Sequence, residues 1–217
     1  MITSARSLFA MNVRPTAGRL ARGAAVVVLG LLPFAAGCTK VQTQGDGSSY
    51  LIIDALGAGA GPSPTTFSGT FESDVLTKGS VLEDGGQVIF RLALKDPGAS
   101  QTPTTPTSAN FITVTRYHVD FVRPGLPNAQ QGVDIPFSFD GGITATVGGG
   151  ETTVSFVLVR VQAKLEAPLA ALANHGGAGV ISTIANITFY GTDQTGRAVS
   201  VTGSISVNFA DWADPAS

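Results

Sequence analysis

The sequence predicts an all-β protein, an antiparallel β-sandwich with one short helix near residues 166–174. Three observations predict it. Apolar and polar residues alternate with period two in several segments. Stretches rich in Gly, Pro, Asp and Thr separate those segments, as turns separate strands. Only Glu166 to Asn174 (EAPLAALAN) reads as a helix, so strands and helices do not alternate as a parallel α/β sheet requires. Charged residues make up 13% of the chain, about half the usual share. Ser, Thr, Val and Gly take their place, which suits strands and turns better than solvated helices.

Tyr50 to Leu56 is a short apolar strand, followed by a Gly/Pro loop, Gly57 to Thr70 (GAGAGPSPTTFSGT), and a strand at Phe71 to Thr77. Gln87 to Lys95 sets Val88, Phe90, Leu92 and Leu94 on one face, with Arg91 and Lys95 on the other. Asp96 to Asn110 (DPGASQTPTTPTSAN) has three prolines and little apolar content, so it reads as a surface loop. In Phe111 to Arg123, Tyr117, Val119 and Phe121 share one face, and Arg116, His118 and Asp120 the other. Ile112 and Val114 are out of phase with the first set, which predicts a bulge near Thr115. Val133 to Phe139 and Ile143 to Val147 read as two short strands broken at Asp140-Gly141-Gly142, and Gly148 to Gly150 as a hairpin turn. Thr152 to Leu165 reads as one long strand with Val159, Val161, Ala163 and Leu165 inward. The helix after it should end at His175-Gly176-Gly177. Ile181 to Tyr190 and Arg197 to Phe209 form a pair whose link, Asp193-Gln194-Thr195-Gly196, suits a type I turn closed by a glycine bulge. In the last strand Val199, Val201, Ile205, Val207 and Phe209 point to the core, and Ser200, Thr202, Ser204, Ser206 and Asn208 to water.

Seven to nine strands of this kind make a sandwich. The last hairpin, Asn186 to Phe209 with its Asp-x-x-Gly turn, resembles the closing strands of bacterial immunoglobulin-like domains. The resemblance covers about 24 residues and lacks the Cys/Trp/Cys core of antibody domains.

The N-terminus reads as an export leader. Arg14, Arg19 and Arg22 precede an apolar run, Ala24 to Phe34, and the small residues Ala35, Ala36 and Gly37. The run has about 11 residues, too few for a membrane span of about 20. Leader character starts near Met11, which is an alternative start. Ala35-Ala36-Gly37-Cys38 resembles the lipobox of bacterial lipoproteins, departing from it at Ala35, where Leu is most common. The resemblance implies cleavage between Gly37 and Cys38, a diacylglyceryl thioether on Cys38, and a stable membrane anchor. Thr39 after the cysteine implies the outer membrane; the other location is the outer face of the cytoplasmic membrane. The organisation expected is a signal peptide at 1–37, a polar Gly/Ser-containing tether at 38–49 and one domain at 50–217.

Without the leader, nine Lys and Arg face 15 Asp and Glu, a net charge of about −6. Such a surface repels phosphate backbones, so nucleic acid is not an expected partner. Cys38 is the only cysteine, which leaves no disulfide within the chain.

The search for chemistry finds little. His118 stands beside Arg116 and Asp120 on a polar strand face, where Asp120 would orient it as a base, but such neighbours are routine on solvated strands. His175 fits a helix C-terminus. Phosphate-binding and nucleophile-elbow motifs are absent from the sequence. Asp134, Asp140, Asp193, Asp211 and Asp214 lack the spacing of a calcium loop. Tyr50, Tyr190 and Trp212 are the candidate sugar-stacking aromatics, while Tyr117, Phe121 and Phe209 look inward. Asn186-Ile187-Thr188 matches the N-glycosylation pattern and predicts little in a bacterium. The expectation is a lipid-anchored, non-enzymatic binding or scaffolding protein of the cell envelope, with no cofactor, no metal and no catalytic residue. Its partner would be an envelope protein or a glycan. The alternatives are a glycan- or small-ligand-binding module and, third, an enzyme with a carboxylate pair distant in sequence.

Overall fold

Alternating segments become strands here because one face of each can be buried against a second sheet. The computed structural model describes residues 47–212. In chain order the strands are β1 (Ser49–Gly59), β2 (Thr70–Asp74), β3 (Asp84–Leu94), β4 (Gly98–Ala99), β5 (Thr102–Pro103), β6 (Ile112–Val122), β7 (Phe139–Val147), β8 (Thr152–Val159), β9 (Ile181–Asp193) and β10 (Ala198–Ala210). A one-turn helix, α1 (Val161–Leu165), lies between β8 and β9. One sheet has the order β1-β3-β8, the other β2-β10-β9-β6-β7, and β4 pairs only with β5. The two larger sheets pack face to face as an all-β sandwich.

The sheets are not wholly antiparallel, as the sequence had suggested: β2 runs parallel to the end of β10. Aromatic rings from β3, β6, β8 and β9 meet between the two sheets. Phe90 of β3 meets Phe189 of β9 edge to face at 5.0 Å. Tyr117 of β6 lies 5.2 Å from Phe156. Phe156 in turn lies 5.4 Å from Phe189. Such pairs each add about 0.5–1.5 kcal/mol beyond the area they bury. The Val157 N–H donates to the Tyr117 hydroxyl at 3.2 Å, which joins the two sheets through the core. Burial pushes the Tyr117 phenol up, more than that hydrogen bond draws it down.

The predicted bulge is present. The register of β6 with both neighbours shifts between Val114 and Arg116, so Ile112, Val114, Tyr117, Val119 and Phe121 are all buried. The Asp193 turn is also as expected: Gly196 N–H donates to the Asp193 carbonyl at 3.0 Å and Gly196 has φ +80°. Residues 96–110 form a surface loop, tied at its base by the β4–β5 pair.

Other segments differ. β1 continues to Gly59, into the expected loop, because Gly57 and Gly59 leave room for Phe67 and Pro64 to fold back over the strand. Val133 to Phe139 is not a strand. Gly132 N–H donates to Ile135 O, Asp134 N–H donates to Gln130 O, and the Asp134 carboxylate accepts the Gln130 N–H, so this stretch closes on itself as a loop. β7 runs unbroken through Asp140-Gly141-Gly142. Gly141 is there because the Tyr117 ring occupies the place of a side chain. Gly148 to Gly150 is no hairpin turn; it carries the chain from β7 in one sheet to β8 in the other. β8 ends at Val159, and Gln162-Ala163-Lys164-Leu165, good helix formers, continue as α1. Ala163 and Lys164 are therefore buried, whereas Val161 and Leu165, four apart on one helical side, face water. The helix expected at 166–174 is reduced to a 3₁₀ turn, Leu169–Leu172, after Pro168, which has no N–H to give. The segment does end at Asn174, Gly176 and Gly177, all with positive φ.

Candidate functional site

The register sorts most connections to one of two ends. β1 begins beside the end of β3, and the Ser49 hydroxyl donates to Asn110 O at 2.6 Å, just before β6. This near end therefore carries the start of β1 and the connections 95–111, 148–151 and 194–197. The far end carries 75–83, 123–138 and 160–180. With 13 residues in β9, the two ends stand about 40 Å apart.

The exposed apolar side chains are distributed unequally between them. Among the described residues nine large apolar side chains are exposed, and eight lie at the far end: Leu82, Val122, Leu126, Val133, Phe137, Val161, Leu165 and Val180. Val133 is 64% exposed, Leu165 56% and Phe137 45%. Scattered exposed apolar residues need no explanation, but their collection on the loops of one pole does. The sequence placed Val133, Phe137, Val161 and Leu165 on strands, so the feature was hidden there.

The histidine cluster sits on the outer face of the five-stranded sheet. The β6 bulge turns Arg116 and His118 to water, with Asp140 of β7 paired opposite His118. Arg116 Nη1 lies 2.9 Å from Asp140 Oδ1. His118 Nδ1 lies 3.3 Å from the same oxygen. The partner of His118 is thus Asp140 and not Asp120, whose register neighbour is Asn186. Both Arg116 and Asp140 side chains are about half exposed, so the pair contributes under about 1 kcal/mol. The Arg116 guanidinium also covers the Tyr190 ring at 4.1 Å. Around them Thr188 and Thr202 share a hydrogen bond at 2.8 Å, and the Ser204 hydroxyl donates to Asn186 at 2.8 Å.

A second polar cluster is internal, and sequence reasoning missed it. Lys164 Nζ lies 2.8 Å from Asp84 Oδ2, with side chains 1% and 3% exposed. Lys164 also donates to Asp74 O at 2.7 Å. The Ser73 hydroxyl donates to Asp84 Oδ2 at 2.6 Å. Gly61 N–H donates to Asp84 Oδ1 at 3.1 Å. Ser, Lys and Asp side by side suggest nucleophilic chemistry, but the Ser73 proton is directed to Asp84 and the group is sealed from solvent. Its work is to tie α1 to β2 and β3.

The remaining candidates do not converge. His175 Nδ1 contacts Ala173 O at 2.8 Å, at the end of the 3₁₀ turn. Asp193 holds its turn: burial would raise its carboxyl, but bonds from the Thr195 hydroxyl and the Arg197 and Thr195 amides outweigh burial and keep it low. Among the described residues no three His, Cys, Asp or Glu side chains gather as metal ligands. Tyr50 lies on β1 at the near end under Lys95, Tyr190 lies on the sheet face, and Trp212 follows β10 with its backbone N–H donating to Asp74 Oδ1 at 3.0 Å. They form no common row. Gly37, Cys38 and Asp214 fall outside the described residues.

Fold and surface together define a two-sheet sandwich module with one apolar pole. No family model, curated protein or solved structure matches the chain.

Proposed function

We propose that the mature chain is a non-enzymatic binding or scaffolding module of the cell envelope, anchored by lipid on Cys38, and that it meets an envelope protein with its far end. The observation that carries this reading is the gathering of eight of nine exposed large apolar side chains at the pole opposite the start of β1. The same pole carries Lys78, Glu83, Arg123, Asp134, Arg160 and Glu166, charges of both signs. Apolar contacts mixed with balanced charge suit a protein surface better than a polyanion or an anionic membrane. A glycan-binding module is the alternative, supported by the Thr and Ser rows of the outer sheet face. It has less behind it, because Tyr190 lies under Arg116 and the other two aromatics lie elsewhere.

The test places a photo-crosslinking residue at Val133, Phe137 or Leu165, and at Ser204 as the control, in cells that make the full chain. The expected result is one discrete protein adduct from the three far-end positions and none from Ser204. Equal labelling from Ser204, or none anywhere, overturns the reading. In the same cells the wild-type N-terminal peptide should begin at Cys38 and carry lipid, and Cys38→Ser should lack that mass. A variant that stays membrane-bound with unchanged mass removes the anchor.

A further inference from the structure

We propose that the 96–110 loop is a modification site, with Thr102, Thr104 and Thr105 accepting O-linked sugars once the chain is exported; this rests on the export reading above. The loop holds four threonines, two serines and three prolines among fifteen residues. That composition is the mark of O-glycosylated segments. Sequence alone leaves such a loop ambiguous with any polar connection, and three features of the fold remove the ambiguity.

Lys95 to Thr105 are exposed without interruption. Among the described residues the hydroxyls of Thr102, Thr104 and Thr105 make no hydrogen bond, whereas Thr107 spends its own on Asn110 Oδ1 at 3.1 Å. Free hydroxyls on a buried or capped turn would need explaining; on this loop they stand ready as acceptors. The backbone is also held open. Gly98 at φ +77° starts the β4–β5 pair, and Thr104 N–H donates to Pro97 O at 2.9 Å. Pro103 and Pro106 keep Thr102 and Thr105 out of the helical region, so the acceptors lie on an extended segment that a transferase can grip.

The third feature is position. Asn110 Nδ2 donates to the Ser48 hydroxyl at 2.6 Å and Asn110 O accepts from the Ser49 hydroxyl at 2.6 Å. The base of the loop is thereby fastened to the point where the chain enters β1. Hydrated sugars there would cover a loop otherwise open to proteases.

In each transfer the threonine Oγ attacks the anomeric carbon of a phosphate-activated sugar. A C1–Oγ bond forms and the C1–O bond to phosphate breaks. The phosphate leaves with the bonding pair, and the hydroxyl proton passes to a base of the transferase.

The test is the mass of the tryptic peptide Asp96–Arg116 from full-length protein made in its own cells. That peptide contains no lysine, so sugar on it is not glycation. The expected result is a mass raised by whole sugar residues, removed by alkaline elimination to leave dehydrated threonine. A Thr102→Val/Thr104→Val/Thr105→Val variant should give the bare peptide with an unchanged thermal midpoint. A bare wild-type peptide, whatever the state of Cys38, overturns the inference, as do additions that persist in the triple variant. A bare loop beside a lipidated Cys38 in the same digest removes the sugars and leaves the anchor standing.

Discussion

Lys164 places its ammonium between Asp84 and the Asp74 carbonyl in the interior, while Val161 and Leu165 on the same short helix face water. The inversion is physical. Lys164 meets a carboxylate that already accepts bonds from Ser73 and Gly61, so the ion pair enters the core with its hydrogen bonds made. Removing one partner leaves the other charged and buried. Lys164→Met should therefore cost about 3–5 kcal/mol, seen as a lower denaturation midpoint. A Lys164→Met/Asp84→Asn double variant should recover part of that loss, because the uncompensated charge goes with it. A single variant that unfolds at the wild-type midpoint would show that the network does not hold α1 in place. Residue-by-residue alternation could not reveal this, since it assigned Lys164 to a polar strand face and named no partner for Asp84.

At the scale of elements, local chemistry was most legible where it determines the backbone without help. The Asp193-to-Gly196 turn is an example: Gly196 takes positive φ and Asp193 accepts three bonds within four residues. The out-of-phase Ile112 and Val114 likewise announced the β6 bulge. Elements settled by distant partners were not legible. Gly141 looks like a break until the Tyr117 ring is set against it, and Val133 to Phe139 looks like a strand until Gln130 takes up its amides. The turn carries its own prediction. Its bonds hold the Asp193 carboxyl below the ordinary range, so their stabilisation is complete above the pKa of the unfolded chain. It is lost as pH falls through the lower folded value. Asp193→Asn should flatten the acid limb of a stability-against-pH curve and cost about 1–2 kcal/mol at neutral pH. An acid limb identical to wild type would assign that limb to other carboxylates.

For the whole molecule, the fold converts chain order into polarity. Even strand crossings put the start of β1 and the 96–110 loop at one end, and the 123–138 and 160–180 connections at the other. The fold class could be read from alternation and turns, but the apolar pole could not, because it exists only once 133–138 and 161–165 are known to leave the sheets. The core does not need that pole: it is built around Phe90, Phe121, Phe189 and Phe209, each at most 1% exposed. Stability and docking should therefore separate. Val133→Ser/Leu165→Ser removes two of the most exposed apolar side chains and no core contact. Its unfolding free energy should stay within about 0.5 kcal/mol of wild type. The adduct formed from a crosslinker at Phe137 should fall sharply, because the loss of apolar area at a contact is felt in binding and hardly in folding. A variant that keeps the adduct at wild-type yield would move the contact away from this pole.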